Sequence, residues 1–185
     1  MQLRVISGSA RGKRLKVPKG NIRPLSEQAR EALFNILAPV VGDSVFLDLF
    51  AGSGAVGIEA LSRGARLAFF VEIDRKSVPV INENLANTGF TDRAEVFALP
   101  ADRGIKFLTK KNAKFDIIFL GAPYGSKSLY DCLKLIGDSE LLAPSGVVIA
   151  EHRFKQTIDP VYGKLIQYRQ QRYGDTVFTF YKVEV

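Results

Sequence analysis

From Val45 to Ala150 the chain alternates short apolar runs with stretches of helical period, and few architectures accept that alternation. VFLDLF (45–50) is almost continuous in apolar residues, as befits a strand buried on both faces of a parallel sheet. Leu67–Ile73, Ala94–Leu99, Phe115–Leu120 and Gly146–Ala150 read as further strands. Helical patterns fall between them at Val56–Leu61, Val78–Leu85, Ile105–Leu108 and Leu129–Ile136, with Pro79 tolerable only in a first turn. Short links between such elements make βαβ units, so the pattern predicts an α/β, doubly wound parallel sheet covered by helices on both faces. After residue 160 the helical period fades. Lys164–Arg172 and Thr176–Val183 flank Tyr173-Gly174-Asp175 and read as an antiparallel pair at one end of the sheet.

The first 40 residues have a different texture. Arg4–Ser7 and Lys13–Val17 are short β-like runs, and the Gly8–Gly12 stretch between them reads as a hairpin turn. Ser26 has the character of an N-cap, and Ala29, Ala32, Leu33, Ile36 and Leu37 follow at helical spacing in a helix expected to stop before Pro39. A length of 185 residues then suits one main domain, 41–185, with a small extension, 1–40. The charge is unevenly spread. The chain carries a net +7, and residues 1–30 hold eight basic side chains against one acid, so the remainder is balanced. A local basic excess rich in Arg suits a polyanion, although a solvated terminus kept for solubility has the same composition. No apolar run approaches the ~20 residues of a spanning helix, and Met1 to Arg14 lacks a signal-peptide core. Cys132 is the single cysteine and His152 the single histidine, which excludes an internal disulfide and a His pair and leaves no Cys/His cluster for zinc. A cytoplasmic protein without a metal is expected.

Gly52, Gly54 and Gly57 form G-x-G-x-x-G between the first strand and the first helix of this alternation. Such glycines let the backbone turn tightly and approach a ligand at the helix N-terminus. Asp48 precedes Gly52 by four residues, and Glu72 follows it by twenty, where a carboxylate can accept from both hydroxyls of a ribose. A dinucleotide would set its pyrophosphate against Asp48, whereas S-adenosylmethionine offers an ammonium and a sulfonium. Charge complementarity therefore favours the methyl donor over NAD. Asp102 and the backbone at Pro100 and Ala101 are candidates for a further adenosine contact, with Asp102 equally suited to cap the next helix.

DLFAGSG (48–54) is similar to motif I of methyltransferases that act on exocyclic amines of bases. RVISGSARGKRL (4–15), RPLSEQAREALFNIL (23–37), LDLFAGSGAVGIEALSRGA (47–65), FVEID (70–74), EH (151–152) and RYGDT (172–176) occur in order with it. Together they resemble the bacterial small-subunit rRNA guanine-N2 methyltransferase family over nearly the whole chain. The resemblance implies a seven-stranded, Rossmann-like methyltransferase sheet, S-adenosylmethionine as donor and a guanine of 16S rRNA as acceptor. It places the donor on Asp48, on Phe50, Ala51, Gly52, Ser53 and Gly54, and on Glu72, Ile73 and Asp102. The basic extension, with Arg4, Arg11, Lys13, Arg14, Arg23 and Arg30, would grip rRNA in the assembled or assembling small subunit beside ribosomal proteins. The protein is expected to be a monomer.

The acceptor motif departs from this pattern. Where the family has Asp-Pro-Pro-Tyr, the chain reads Gly121-Ala122-Pro123-Tyr124. The Ala122 carbonyl and the Tyr124 ring remain as acceptor and stacking platform, but Gly121 has no side chain to receive a hydrogen bond from the target amine. Losing one such bond is worth ~2–4 kcal/mol, or ~10²–10³ in rate. Three readings stay open: an impaired or non-catalytic rRNA-binding relative, a neighbour that supplies the missing group, or an introduced change. Arg172, Tyr173 and Asp175 are assigned to structure ahead of RNA contact.

Overall fold

The computed structural model describes residues 2–20 and 23–184. The alternation builds β1 (Val45–Leu49), α2 (Ala55–Ser62), β2 (Leu67–Val71), α3 (Ser77–Thr88), β3 (Ala94–Phe97), α4 (Ala101–Lys110), β4 (Phe115–Leu120), α5 (Ser128–Gly137) and β5 (Leu142–Arg153). Helix α1 (Glu27–Val41) precedes them, and β6 (Val161–Tyr162), β7 (Leu165–Tyr173) and β8 (Thr176–Val183) follow. All strands join one sheet in the order β3-β2-β1-β4-β5-β8-β7-β6. The first five are parallel, and β8 and β7 add antiparallel to the outer edge of β5. The order of strands reverses its spread between β1 and β4, the place where open α/β sheets bind ligands beyond their carboxyl ends.

The sheet has one more strand than the seven expected, because the two-residue β6 pairs with the edge of β7. β5 is longer than Gly146–Ala150, since β8 pairs along it as far as Arg153. β2 ends at Val71, two residues early, and leaves Ile73 exposed beyond the sheet. α1 runs through Pro39 instead of stopping before it. A proline that near the end removes only one helical bond, and buried Leu37 and Val41 hold the last turn.

Side-chain alternation along the strands divides the core. Phe46, Ile117, Phe119, Ile149, Phe178 and Phe180 face a layer made by α1, α2, α3 and the N-terminal hairpin. Leu47, Leu49, Ile118, Leu120, Val148 and Tyr181 face α4 and α5. Gly57 shows how tightly α2 lies on its layer, since a Cβ there would sit 2.3 Å from the Phe70 ring. Among the described residues no helix is long and apolar enough to cross a membrane.

The hairpin is built by backbone bonds between Val5 and Lys13 and between Leu3 and Leu15, with an antiparallel bridge at Arg4 and Arg14. Its turn docks on α2. Glu59, fully buried, accepts from the Ile6 and Ser7 amides at 3.0 and 3.2 Å and from Arg63 at 2.9 Å. The Ser9 amide donates to the Ser62 carbonyl at 2.8 Å. Gly8 adopts φ +88°, and a Cβ on it would lie 1.9 Å from that same carbonyl oxygen, so only glycine permits the approach.

Candidate active site

The carboxyl ends of β1, β2, β4 and β5 meet at one edge of the sheet, and each contributes functional groups. Asp48, on β1, is 1% exposed and accepts from the Gly57 amide at 3.0 Å. Burial holds its carboxyl well above the ordinary carboxylate range, and the nearby carboxylates of Glu72 and Glu151 push it further up. Glu72, just past β2, is also buried and accepts from the Gly52 amide at 2.7 Å and the Asp74 amide at 2.9 Å. It thus pins the glycine loop to the next strand. An ionised carboxylate offers about four acceptor positions, so two remain. None of Asp48, Glu72 and Glu151 forms an ion pair with Lys or Arg among the described residues.

Phe50 stands between β1 and the glycines with φ +61°, a conformation costly for a side chain of its size and a mark of functional loops. A cavity of about 730 Å³ opens beside it, with walls that include Ile73, Pro100, Ala101, Asp102 and Pro123. Six of the residues singled out in the sequence, Phe50, Ile73, Pro100, Ala101, Asp102 and Pro123, therefore share one cavity. Asp102 is not a helix cap: Pro100 holds that position, and Asp102 lies in the first turn of α4. Ala51, Gly52, Ser53 and Gly54 are buried in the turn itself, where the Ser53 hydroxyl accepts from the Ala55 amide at 3.3 Å.

Gly121 follows β4, and its amide donates to the Leu49 carbonyl at 3.2 Å, which sets the loop from Gly121 to Tyr124 beside the end of β1. Ala122 is buried, while Pro123 and Tyr124 are exposed. The Tyr124 hydroxyl donates to Glu151 Oε1 at 2.7 Å and lies 3.3 Å from Thr176 Oγ1. Burial, with Glu151 beside it, pushes the phenol up to about 12, so it keeps its proton and donates. The Arg153 guanidinium covers one face of the ring at 5.1 Å. Glu151 is brought there by register. Leu120 pairs with Ala150 in the parallel β4–β5 ladder, so the next residue of each strand, 121 and 151, lie side by side. A Cβ built on Gly121 would be 3.4 Å from Glu151 Oε2.

The basic extension is split in the structure. Arg11, Lys13, Arg14 and Arg23 are exposed. Arg4 is exposed but pairs with Glu27 at 3.1 Å. Arg30, expected on the RNA surface, is instead fully buried and donates to the Arg4 carbonyl at 2.5 Å. Its position on the inner face of α1, next to Ala29 and Leu33, leaves it no surface to offer a phosphate. Arg172 stacks on Phe154 at 3.4 Å and donates to the Gly174 carbonyl, while Asp175 pairs loosely with Arg153 at 3.9 Å.

Sequence reasoning gave no site role to three polar residues that organise the site, although EH (151–152) carried part of the resemblance. Glu59 carries the hairpin. Asn84, on α3 and 1% exposed, exchanges hydrogen bonds with the Lys16 backbone at 2.8 and 2.9 Å and donates to the Ser53 carbonyl at 2.9 Å, so it ties the extension to the glycine loop. Glu151 adjoins Gly121. The available signal was a polar side chain inside an apolar pattern: Glu59 in AVGIEALS, and Asn84 between Ile81 and Leu85.

Residues 3–182 match the family model described as Conserved hypothetical protein 95. The chain is 37% identical over 181 residues to the putative rRNA methyltransferase YlbH of Bacillus subtilis, covering 97% of this chain and 98% of that protein. It is 34% identical over 184 residues to ribosomal RNA small subunit methyltransferase D of Escherichia coli, covering 99% and 91%. The solved structure of the putative methyltransferase yhhF from Escherichia coli superposes with a TM-score of 0.86 at 35% identity, over 100% of this chain and 99% of that one. The chain belongs to the Conserved hypothetical protein 95 family, a methyltransferase family that it shares with the small-subunit rRNA methyltransferase D proteins.

Proposed function

We propose that this protein methylates the exocyclic N2 amine of a guanine in 16S rRNA, with S-adenosylmethionine as the methyl donor. The observation that carries the donor assignment is the pair of buried carboxylates at the sheet edge, Asp48 and Glu72, neither of which pairs with a basic side chain among the described residues. Asp48 bears a desolvation cost that no basic side chain among the described residues offsets, and a cationic ligand would offset it. A pyrophosphate would add to the repulsion, so a dinucleotide fits poorly. When bound, S-adenosylmethionine supplies an activated methyl group. Asp48 would face its positive charge, the free acceptor positions of Glu72 would take ribose hydroxyls, and Phe50, Ile73 and Asp102 would wall the adenosine.

On the acceptor side, a guanine must leave its stack to reach this edge, and Tyr124 gives it an aromatic surface to lie on. The Ala122 carbonyl is the backbone acceptor for an N2 hydrogen. No nucleophilic side chain is needed, because the amine attacks directly and the protein contributes position and electrostatics. Arg11, Lys13, Arg14 and Arg23 would hold rRNA phosphates, and Asn84 ties the hairpin, at Lys16, to the donor loop. Names of close relatives support an rRNA substrate, and an rRNA substrate accords with a cytoplasmic protein acting on the small subunit as a monomer.

Nucleoside mass spectrometry of 16S rRNA from cells with and without the gene tests this reading. One N2-methylguanosine should disappear in the deletion and return with the wild-type gene. Identical methylation in both strains would overturn it and would favour a non-catalytic rRNA binder.

A further inference from the structure

Gly121 removes the side chain that the related motif uses to receive the target amine, yet the space beyond it is not vacant. The β4–β5 register sets residue 151 beside residue 121. Glu151 Oε2 stands 3.4 Å from the position of a Gly121 Cβ, close to where a longer side chain from 121 would carry its own oxygen. The other oxygen, Oε1, is held by the Tyr124 hydroxyl at 2.7 Å. The phenol therefore orients the carboxylate and leaves Oε2 uncommitted among the described side-chain hydrogen bonds. Glu151 is half-buried, so it is open to the edge where the base must arrive. Backbone at Gly121 is bonded to Leu49, which keeps both groups next to the end of β1 and the donor loop.

We propose that Glu151 is a catalytic residue of this chain: its Oε2 accepts the hydrogen of the guanine N2 amine in place of the side chain that Gly121 lacks. The inference rests on the function proposed above. The guanine amine is a poor nucleophile because its lone pair is delocalised into the ring, and an acceptor that fixes its hydrogens turns the lone pair toward the methyl group. The N2–C bond forms as the S–C bond of the methyl sulfonium breaks, with that electron pair left on sulfur. The proton released from N2 passes to the Glu151 carboxylate and from there to water. Tyr124 is a positioning residue for Glu151 as well as a surface for the base.

The test is single-turnover methylation of small-subunit particles from cells lacking the gene, with labelled S-adenosylmethionine and identification of the methylated nucleoside. Donor affinity is measured by calorimetry and particle affinity by filter binding for every variant. Glu151→Ala should slow methyl transfer about 10²-fold, with both affinities within twofold of wild type, an effect confined to the chemical step. Glu151→Gln, which keeps one acceptor in the same shape, should retain an intermediate rate. Gly121→Asp should give no gain in the wild-type background, but should raise the rate of Glu151→Ala at least tenfold, a dependence on background that only a shared acceptor role predicts. Wild-type rates in both Glu151 variants, on particles that do acquire N2-methylguanosine, would overturn the role of Glu151 and leave the proposed function standing. A parallel loss of donor affinity would make Glu151 structural and would also overturn it. Absence of N2-methylguanosine with the wild-type protein would remove the proposed function and this role together.

Discussion

Asp48 is the residue whose environment most exceeds what a fold requires. A buried carboxylate with one amide donor and two acidic neighbours costs stability, and such costs collect where a ligand relieves them. Asp48→Asn keeps an acceptor for Gly57 and removes the charge. It should weaken S-adenosylmethionine binding by ~1.5–3 kcal/mol, while thermal stability holds or rises; unchanged calorimetric affinity would sink the donor assignment. His152 titrates in the opposite sense. It lies 2.9 Å from the Arg153 carbonyl through Nδ1 and 2.7 Å from the Thr179 hydroxyl through Nε2, and Gln170 donates to that hydroxyl at 3.0 Å. A neutral ring that donates from Nδ1 and accepts at Nε2 completes the chain. Burial lowers its pKa. A group depressed in the folded state contributes stability above its ordinary value and loses it as pH falls through the folded one. The urea midpoint should therefore decline from about pH 7 to about pH 5, and by less in His152→Gln. Equal slopes in the two proteins would show that His152 is not the group responsible.

The hairpin is the element that tertiary contact makes. Alone, a two-stranded hairpin is marginal in water. Docked, it places Leu3, Val5, Ala10 and Leu15 in the same apolar cluster as α1 and α2. The docking depends on the absence of a side chain at Gly8 and on the buried Glu59 carboxylate. Gly8→Ala meets both a positive φ and the Ser62 carbonyl. It should lower the melting temperature by about 4–8 °C, the equivalent of roughly 2 kcal/mol in a chain of this size. A melting temperature equal to that of wild type would mean that the docking contributes little to stability.

Across the whole molecule, charge and chemistry occupy adjoining regions. The hairpin that carries Arg11, Lys13 and Arg14 is tied at Lys16 through Asn84 to the glycine loop, while Tyr124 follows β4 and Arg153 ends β5 of the same sheet. Replacing Arg11, Lys13, Arg14 and Arg23 with neutral residues should lower the salt dependence of particle binding by about 0.9 in slope for each phosphate that is no longer neutralised. Donor affinity should stay constant, because none of the four lines the cavity. Filter-binding slopes that do not change would reduce the basic extension to a device for solubility.

Strand and helix identity were legible because buried parallel strands and amphipathic helices impose their periods on the residues that form them. Asp48, the three glycines and Glu72 were legible as a site for the related reason that a tight βα turn demands particular residues at particular spacings. Arg30 was misplaced because charge counts a residue without showing which face of α1 carries it, and that face packs inward. Pro39 was read as a stop because local chemistry disfavours it in a helix, whereas buried Leu37 and Val41 keep the last turn. Glu59, Asn84 and Glu151 lie 52, 68 and 30 positions from Ser7, Lys16 and Gly121, the partners that give them meaning. Local pattern determined the elements and the glycine loop. Only strand register and docking, which bring distant residues together, decided that a carboxylate stands where Gly121 has none.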